Sequence, residues 1–278
     1  MTGMYFEFDG IHSKDLNLMI VSFDGAKNGT ATAGNHIEFN TIKLPNSDKW
    51  MKTSASYSEV LSFSFQVAKT DCADQTEPIS ERDLAFYIRW LVRKEYKYLR
   101  IIQEGYETIY YNARLNVQRY EAAGKTVGLE ITVYCDAPYG YSSIKSFHYS
   151  TDRLTDSFEL YDDSDEIGYL YPDLMEIEVL QDGEVTLKNN IDGRCTCIKD
   201  CMAKDMIVFT SGLKASLQRH HIDDSNREYY NTFPIAGLFK DWCFPRICNT
   251  FYERQNLFEI TNIKNISIAW RAIRKAVC

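Results

Sequence analysis

The residues best suited to bind a metal ion are cysteines in the second half of the chain. Cys195, Cys197 and Cys201 lie in one short segment, and Cys243 and Cys248 follow further along. Zinc ribbons place two residues between paired cysteine ligands, whereas a single residue separates Cys195 from Cys197. No histidine lies at a matching distance. The pattern therefore favours free thiols, and we expect neither a metal site nor a cofactor.

A short glycine-lysine-threonine sequence is similar to the end of a phosphate-binding loop. It comprises Gly124-Lys125-Thr126. The motif requires an earlier glycine at position 119, which is arginine here, and a helix after the threonine. Residues 127–134 instead alternate like a strand. The sequence therefore predicts a hairpin turn at this point.

Histidines and carboxylates lie side by side at His220-His221 and Asp223-Asp224. Neighbouring residues of a strand point to opposite faces, so the two histidines cannot serve one site, and we interpret the segment as a polar loop. Neither Gly-x-Ser-x-Gly nor His-Glu-x-x-His occurs. Chance pairs of carboxylates are unavoidable among 39 acidic residues. The sequence therefore predicts a protein that is not an enzyme and has no catalytic residues.

The elements that would position such residues are nearly all predicted strands. Over residues 61–67, apolar side chains alternate strictly with polar ones, which is typical of a strand with one face on a core. Similar patterns predict strands over 4–8, 16–23, 98–102, 108–120 and 127–134. In the second half, a hairpin is predicted between 174–180 and 185–187, and further short strands over 206–209, 215–217, 257–260 and 266–272.

One helix interrupts this β pattern. Ser80 is the predicted N-cap, and the helix is predicted to continue to Leu99. Trp90 lies beside the apolar stripe, so we interpret it as a candidate contact with another subunit. The stripe itself follows the helical period and is predicted to face the core; it contains Leu84, Tyr87, Ile88, Leu91 and Val92.

The remaining segments of the first half are a loop, a hairpin and a domain boundary. Residues 24–36 are polar and rich in glycine, which predicts a mobile loop. Residues 37–57 predict an extended hairpin with its turn at 45–48. Pro138 cannot donate to a strand ladder and ends the last of these strands. We therefore expect two domains, residues 1–145 and 146–278.

The chain is acidic, with a formal net charge of −8. An acidic chain does not hold DNA by neutralising phosphates. No run of 18 apolar residues occurs and the N-terminus does not resemble a signal peptide, so we expect no membrane segment and synthesis in a cytoplasm. The densest acidic run is interpreted as a solvated loop; its members are Asp156, Glu159, Asp162, Asp163, Asp165, Glu166, Asp173, Glu176 and Glu178.

Tyrosines are concentrated in residues 106–141. Tyrosine covers a large contact area at low entropic cost, so this group favours a protein interface over a surface that stacks on sugars. The tyrosines are Tyr106, Tyr110, Tyr111, Tyr120, Tyr134, Tyr139 and Tyr141.

Several segments, taken in order, have the pattern of one protein family. In the first half they are Phe6-Glu7-Phe8-Asp9-Gly10, Arg89-Trp90-Leu91, Tyr111-Asn112-Ala113-Arg114-Leu115 and Cys135-Asp136-Ala137-Pro138-Tyr139. In the second half they are Tyr171-Pro172-Asp173-Leu174, Phe244-Pro245-Arg246-Ile247 and Ile266-Ser267-Ile268-Ala269-Trp270. With these segments the chain resembles the distal tail protein (Dit) family of phages with long, non-contractile tails. Asp9 replaces the usual asparagine, and Arg254-Gln255 stand where a glycine is common.

The resemblance implies a mainly β fold. It implies an N-terminal β-sandwich-like, ring-forming domain with one α-helix, followed by a C-terminal galectin-like β-sandwich. The function implied is that of a structural virion protein, the baseplate hub at the tail tip of a phage, a prophage or a tail-like particle.

The implied partners are those of a homohexameric ring. The tail-tube protein would lie above the ring, a tail-associated lysin or fibre protein below it, and receptor-binding proteins at its rim in some phages. DNA would only pass through the channel. Residues 24–57 are too weakly apolar to fold alone, so we expect them to lie as a belt across a neighbouring subunit.

Two alternatives remain open from the sequence. The first is a carbohydrate-binding β-sandwich that recognises a glycan of the host cell surface; a galectin-like shape alone does not favour it, because a fold does not imply a function. The second is a tail enzyme that cleaves peptidoglycan, for which the sequence contains no catalytic motif.

Overall fold

The fold is given by a computed structural model that describes residues 5–23, 37–70, 76–102, 105, 107–222, 227–235, 243–250 and 252–275. The loop predicted at 24–36 lies outside these residues. The chain forms two compact units, Met1–Ser142 with Arg274–Cys278, and Ser143–Ile273. Strands predominate in the described part of the chain, with one α-helix, so the predicted mainly β class is confirmed.

The first unit is built on one large antiparallel sheet. Its helix is α1 (Glu81–Leu91), and its strands are β1 (Tyr5–Phe8), β2 (Ile11–His12), β3 (Leu18–Val21), β4 (Ile37–Lys43), β5 (Trp50–Tyr57), β6 (Ser62–Thr70), β7 (Thr76–Glu77), β8 (Lys97–Ile102), β9 (Tyr110–Ala122), β10 (Lys125–Cys135) and β11 (Gly140–Tyr141). The sheet runs in the order β2, β1, β8, β9, β10, β6, β3, with β7 beside β6 and β11 beside β9. β4 and β5 pair only with each other.

The core of the first unit lies on one face of this sheet. Phe65 of β6 pairs with Ile131 of β10, and both are buried. β1, which lies next to the end strand β2, also contacts β3 at the other end of the sheet, and the rings of Phe6 and Phe65 lie 5.2 Å apart. The sheet therefore rolls around its apolar face, and α1 covers the core.

Helix α1 is shorter than predicted. Ser80 is the N-cap as expected, because its Oγ accepts a hydrogen bond of 3.2 Å from the N–H of Asp83. The helix ends at Leu91 rather than at Leu99. Residues 97–99, which were predicted to be helical, form the beginning of strand β8.

The predicted orientation of α1 is wrong at its edges. Trp90, predicted to contact another subunit, is 3% exposed; its Nε1 donates a 3.0 Å hydrogen bond to the carbonyl oxygen of Phe8. Ile88 and Val92, predicted to face the core, are 39% and 48% exposed. In the core, the indole of Trp90 is covered by apolar side chains and its N–H has an acceptor. An exposed position would leave the large ring in water. Val92 lies beyond the last helical turn, so the helical period does not apply to it.

The second unit is a sandwich of two antiparallel sheets. The first sheet contains, in order, β12 (Lys145–Ser150), β23 (Ile263–Trp270), β15 (Leu174–Val179), β18 (Met206–Thr210), β19 (Lys214–Ile222) and β20 (Glu228–Pro234). The second contains β13 (Thr155–Tyr161), β22 (Gln255–Thr261), β16 (Gly183–Asn189) and β17 (Cys195–Cys201). β14 (Gly168–Leu170) pairs separately with β21 (Ile247–Asn249). The core between the sheets contains Met175, Ile177, Leu187, Ile207, Phe258 and Ile266.

The hairpin predicted between residues 174–180 and 185–187 is wrong. The two segments are strands β15 and β16, and they belong to different sheets. The chain crosses between the sheets at Gln181, whose N–H donates to Oδ1 of Asn262 at 2.9 Å and whose carbonyl accepts from Nδ2 of Asn262 at 2.8 Å. A turn sequence therefore marks a reversal of the chain, but it does not decide whether the two strands pair.

The chain returns to the first unit at its end. Strand β24 (Ile273–Arg274) pairs with β11. Arg274 is buried, and its Nε donates a 2.7 Å hydrogen bond to Oε1 of Glu107, also in the first unit. The predicted second domain extended to residue 278, whereas the second compact unit ends at Ile273.

Candidate assembly surfaces

The most exposed apolar element of the first unit is the hairpin of β4 and β5. The predicted extended hairpin is confirmed, with Leu44 and Lys49 hydrogen-bonded across its turn at 3.1 Å. All but one of its strand residues are exposed, and a two-stranded hairpin is at best marginally stable alone in water. Its large apolar side chains are 38% to 66% exposed: Ile37, Phe39, Ile42, Trp50 and Met51.

The outer face of α1 is the second such surface. Phe86 is 49% exposed, and Arg82 and Arg89 lie at helical spacing from it, so an aromatic ring and two arginines share one side of the helix. Ile88 is two residues from Phe86 and is exposed on the other side, as is Val92 at the end of the helix. Tyr96, in the turn after the helix, is 39% exposed. Aromatic residues and arginine are enriched in protein interfaces.

The edge strand of the second unit carries exposed aromatic residues. His220 and His221, predicted to lie in a polar loop, are instead part of β19. They point to opposite faces, as expected for neighbours on a strand: His220 packs on Tyr230 and His221 stacks on Tyr229, each with ring centroids 5.4 Å apart. Asp223 and Asp224 lie outside the described residues. Tyr229, Tyr230 and Phe233 of the edge strand β20 are 43% to 49% exposed.

The cysteines that were compared with a zinc site are distributed over several environments. Cys197 and Cys201 lie in the sandwich, whereas Arg194 donates to Sγ of Cys243 at 3.2 Å and Cys248 donates to Asp192 at 3.3 Å. No three His, Cys, Asp or Glu side chains of the described residues form a group that could hold a metal ion. Every described cysteine is a free thiol.

Asp192 is the centre of a charged cluster that holds the 243–249 segment. Its Oδ2 accepts a 2.6 Å hydrogen bond from Nε of Arg246, and its Oδ1 accepts from the N–H of Arg194 at 3.0 Å. Burial opposes ionisation of Asp192, but these donors and the Cys248 thiol outweigh it, so its pKa is lowered. Burial, together with the Asp192 carboxylate, raises the pKa of Cys248 to about 12, so this thiol is protonated at neutral pH. The cluster therefore stabilises the fold and does not supply a nucleophile.

The acidic run does not form one solvated loop. It extends over strands β13, β14 and β15, and several of its carboxylates are paired with distant cations. Asp163 lies 2.5 Å from Lys145, and Asp173 lies 3.6 Å from Arg271. Asp162 is 1% exposed and accepts from Ser164, and burial raises its pKa. The sequence could not show these partners, since they lie outside the run.

Two further sequence candidates remain, the glycine-lysine-threonine sequence and the tyrosines of residues 106–141. Gly124-Lys125-Thr126 lies at the hairpin between β9 and β10, as predicted: Gly124, at φ +72°, is in the turn, and Lys125 begins β10. The tyrosines of 106–141 do not form one surface. Tyr111 is 5% exposed in the core, Tyr120 stacks on Phe23 at 4.4 Å, and Tyr134 is exposed on the opposite sheet face; Tyr106 lies outside the described residues.

Comparisons with known proteins agree with this architecture. The crystal structure of the phage SPP1 Dit protein (gp 19.1), described as a paradigm of the hub adsorption apparatus in phages that infect Gram-positive bacteria, has a TM-score of 0.62 to this chain. The two are 11% identical, and the alignment covers 96% of this chain and 98% of that chain, so they share a fold. No curated protein sequence matches the chain. No helix in the described part of the chain is long and apolar enough to cross a membrane.

Two family models match the sequence itself. Residues 1–137 match the model described as the phage tail protein N-terminal domain, and residues 139–270 match the model described as the phage tail C-terminal domain. Together they account for almost the whole chain. The chain therefore belongs to this family of phage tail proteins.

Proposed function

We propose that the chain is a distal tail protein, the structural hub that joins the phage tail tube to the tail-tip and receptor-binding apparatus. The observation that carries the proposal is the fold shared with a hub protein over 96% of the chain. The hub is a homohexameric ring, with tail-tube protein above and a lysin or fibre protein below, and it has no catalytic role. Its first unit forms the ring, and its place is the virion tail tip.

The exposed hairpin supports a ring in particular. Its apolar side chains have no cover within the described part of the chain, and a ring offers each subunit a neighbour to provide it. Because a cyclic ring repeats one heterologous contact until it closes, a single belt per subunit is sufficient.

The test is the mass of the purified chain by size-exclusion chromatography with light scattering. We expect a mass of about six times 32.2 kDa. Deletion of residues 42–56 should give a folded monomer, because it removes most of the belt and leaves the rolled sheet intact. The double variant Ser54→Ala, Ser56→Ala is the matched control and should remain a ring. A deletion variant that still forms rings would show that the belt is not needed.

A second candidate function is binding of a host-surface glycan by the second unit. It is favoured by the exposed Tyr229 and Phe233, which share one face of the edge strand, because aromatic rings stack on sugars. A glycan array probed with the full chain and with the variant Tyr229→Ala, Phe233→Ala tests it. Signals that are equal for both proteins would exclude this surface.

A further inference from the structure

The large sheet of the first unit carries tyrosines and arginines on the face away from its core. Arg100 of β8 pairs with Tyr110 of β9, and Arg114 of β9 pairs with Tyr134 of β10. The neighbouring positions along these strands pack in the core, so alternation places the four side chains on the opposite face. With two further tyrosines they form a set that we call the tyrosine–arginine face: Tyr96, Tyr98, Arg100, Tyr110, Arg114 and Tyr134.

Contacts between these side chains fix their orientation. The guanidinium carbon of Arg114 lies 4.9 Å from the ring centroid of Tyr96, and that of Arg100 lies 5.8 Å from the ring centroid of Tyr110. Tyr98 meets Tyr110 edge to face, with ring centroids 6.2 Å apart. Three of the four tyrosines remain 38% to 43% exposed. The face is therefore both ordered and accessible.

The two arginines differ in charge balance. Arg100 is neutralised by Glu7, whose Oε2 accepts from its Nη2 at 2.6 Å and from its Nε at 3.0 Å. Arg114 is exposed and forms no ion pair with a carboxylate of the described residues. A guanidinium that stacks on a ring keeps the N–H donors at its edge for a carboxylate, which it binds with two parallel hydrogen bonds. The face thus presents one uncompensated cation among tyrosine rings.

The size of the face fits a segment of chain better than a folded domain. From Tyr110 to Arg114 it extends about 14 Å along β9, and from β8 to β10 it extends about 10 Å across the strands. A standard protein interface takes about 800 Å² from each partner, which is several times this area. An extended segment of about five residues covers the face completely.

Other ligands fit the face less well. Single-stranded nucleic acids stack on aromatic side chains of a sheet, but they also need several cations along the phosphates, and Arg114 is a single one. Sugars stack on open ring faces, whereas guanidinium groups already cover one face of Tyr96 and one of Tyr110. Tyrosine and arginine together are typical of the residues that contribute most to binding between proteins.

We infer that the tyrosine–arginine face binds an extended acidic segment of another protein. An aspartate or glutamate of that segment pairs with Arg114, and apolar side chains next to it pack on Tyr98 and Tyr134. The inference goes beyond the proposed function and does not depend on a ring, because the whole face belongs to one chain.

An array of synthetic peptides tests it with the full chain. Each peptide is about nine residues long and carries one glutamate between two aromatic residues at varied spacing. Its counterpart has glutamine in place of the glutamate. We expect a subset of the glutamate peptides to bind, and their counterparts to bind about tenfold more weakly in fluorescence anisotropy, because the charge-assisted pair with Arg114 is lost.

Variants of the chain locate the binding. Arg114→Gln should weaken the glutamate peptides about tenfold and leave the glutamine peptides unchanged. The matched control is Arg119→Gln, which removes the same charge from the same strand; Arg119 lies 3.3 Å from Glu81 of α1 and should not affect binding. Arg114→Glu should prefer peptides that carry lysine in place of the glutamate. Circular dichroism confirms that each variant is folded.

The outcomes separate this inference from the proposed function. An array without any bound glutamate peptide overturns it, and so does binding that Arg114→Gln and Arg119→Gln reduce equally. A fluorescent dT oligonucleotide that binds more tightly than every peptide, and is lost in Arg114→Gln, overturns it in favour of nucleic acid. A wild-type chain that is monomeric by light scattering and still binds the glutamate peptides through Arg114 supports this inference while it contradicts the ring.

Discussion

Asn262 connects two of the places where the chain of the second unit passes between its sheets. It lies between β22 and β23, which belong to different sheets, and it bonds Gln181 at the crossing from β15 to β16. It is buried and has φ +62°, a conformation that asparagine tolerates better than most residues. One side chain therefore fixes two crossings.

Two replacements of Asn262 should separate the contribution of its side-chain hydrogen bonds from that of its backbone conformation. Asn262→Gly keeps the left-handed conformation and loses both side-chain hydrogen bonds, so we expect a loss of about 2 kcal/mol in the free energy of unfolding. Asn262→Ala also introduces backbone strain and should lose about 1 kcal/mol more. Urea unfolding measures both, with the exposed Asn116→Ala as control. Equal stability of Asn262→Gly and the wild type would show that the hydrogen bonds contribute nothing.

Asp192 should make stability depend on pH in the acid range. Its pKa is lower in the folded than in the unfolded chain, so its contribution is complete above the unfolded pKa of about 4 and is lost as the pH falls through the lower folded value. Asp192→Asn should therefore cost about 2 kcal/mol at pH 7 and progressively less below pH 4. Thermal unfolding from pH 7 to pH 3 measures the difference. A difference that stays constant across this range would contradict the assignment.

Helix α1 shows that the sequence alone does not determine which edge of an apolar stripe is buried. The spacing of Leu84, Tyr87 and Leu91 predicted the centre of the buried face correctly. The sequence could not decide between Trp90 and Ile88 as its edge, because both fit beside the same stripe. The choice depends on Phe6 and on the acceptor at Phe8, which are more than 80 residues away in sequence.

The helix also gives a direct comparison of a buried and an exposed position. Trp90→Ala should lower the free energy of unfolding by about 3 to 5 kcal/mol, and Trp90→Phe by about 1 kcal/mol, because phenylalanine keeps the packing and loses the hydrogen bond. Ile88→Ala should change it by about 0.5 kcal/mol at most. These values are measured by urea unfolding of the monomeric deletion variant. A larger effect of Ile88→Ala than of Trp90→Phe would contradict the orientation of α1.

The strands differ in how far the sequence predicts them. Alternation predicted β6, β9 and β10, since each has one face on the core and a long regular pattern. It did not predict β17, whose cysteines were compared with a zinc site and interpreted as free thiols, or the end of β19 with its two histidines. These strands are buried on both sides or extend beyond the core, so their residues do not alternate. The hairpin of β4 and β5 among the candidate assembly surfaces was predicted.

At the scale of the whole molecule, the family models and the compact units divide the chain at nearly the same place. The models meet between residues 137 and 139, and the units divide between Ser142 and Ser143. The sequence, with Pro138 at the end of a strand, predicted the division between residues 145 and 146. It did not indicate the return of the chain at Arg274, because a two-residue strand has no period to detect.

The return of strand β24 makes the second unit an insertion within the first, with two covalent connections instead of one. A force that pulls on the second unit therefore acts both on the chain at residues 142–143 and on the pairing of β24 with β11. A protease site inserted between Ser142 and Ser143 provides the measurement. After cleavage, the protein should keep its mass under native conditions. The fragments 1–142 and 143–278 should separate only on denaturation. Release of a free second unit on cleavage would show that the remaining connection does not hold.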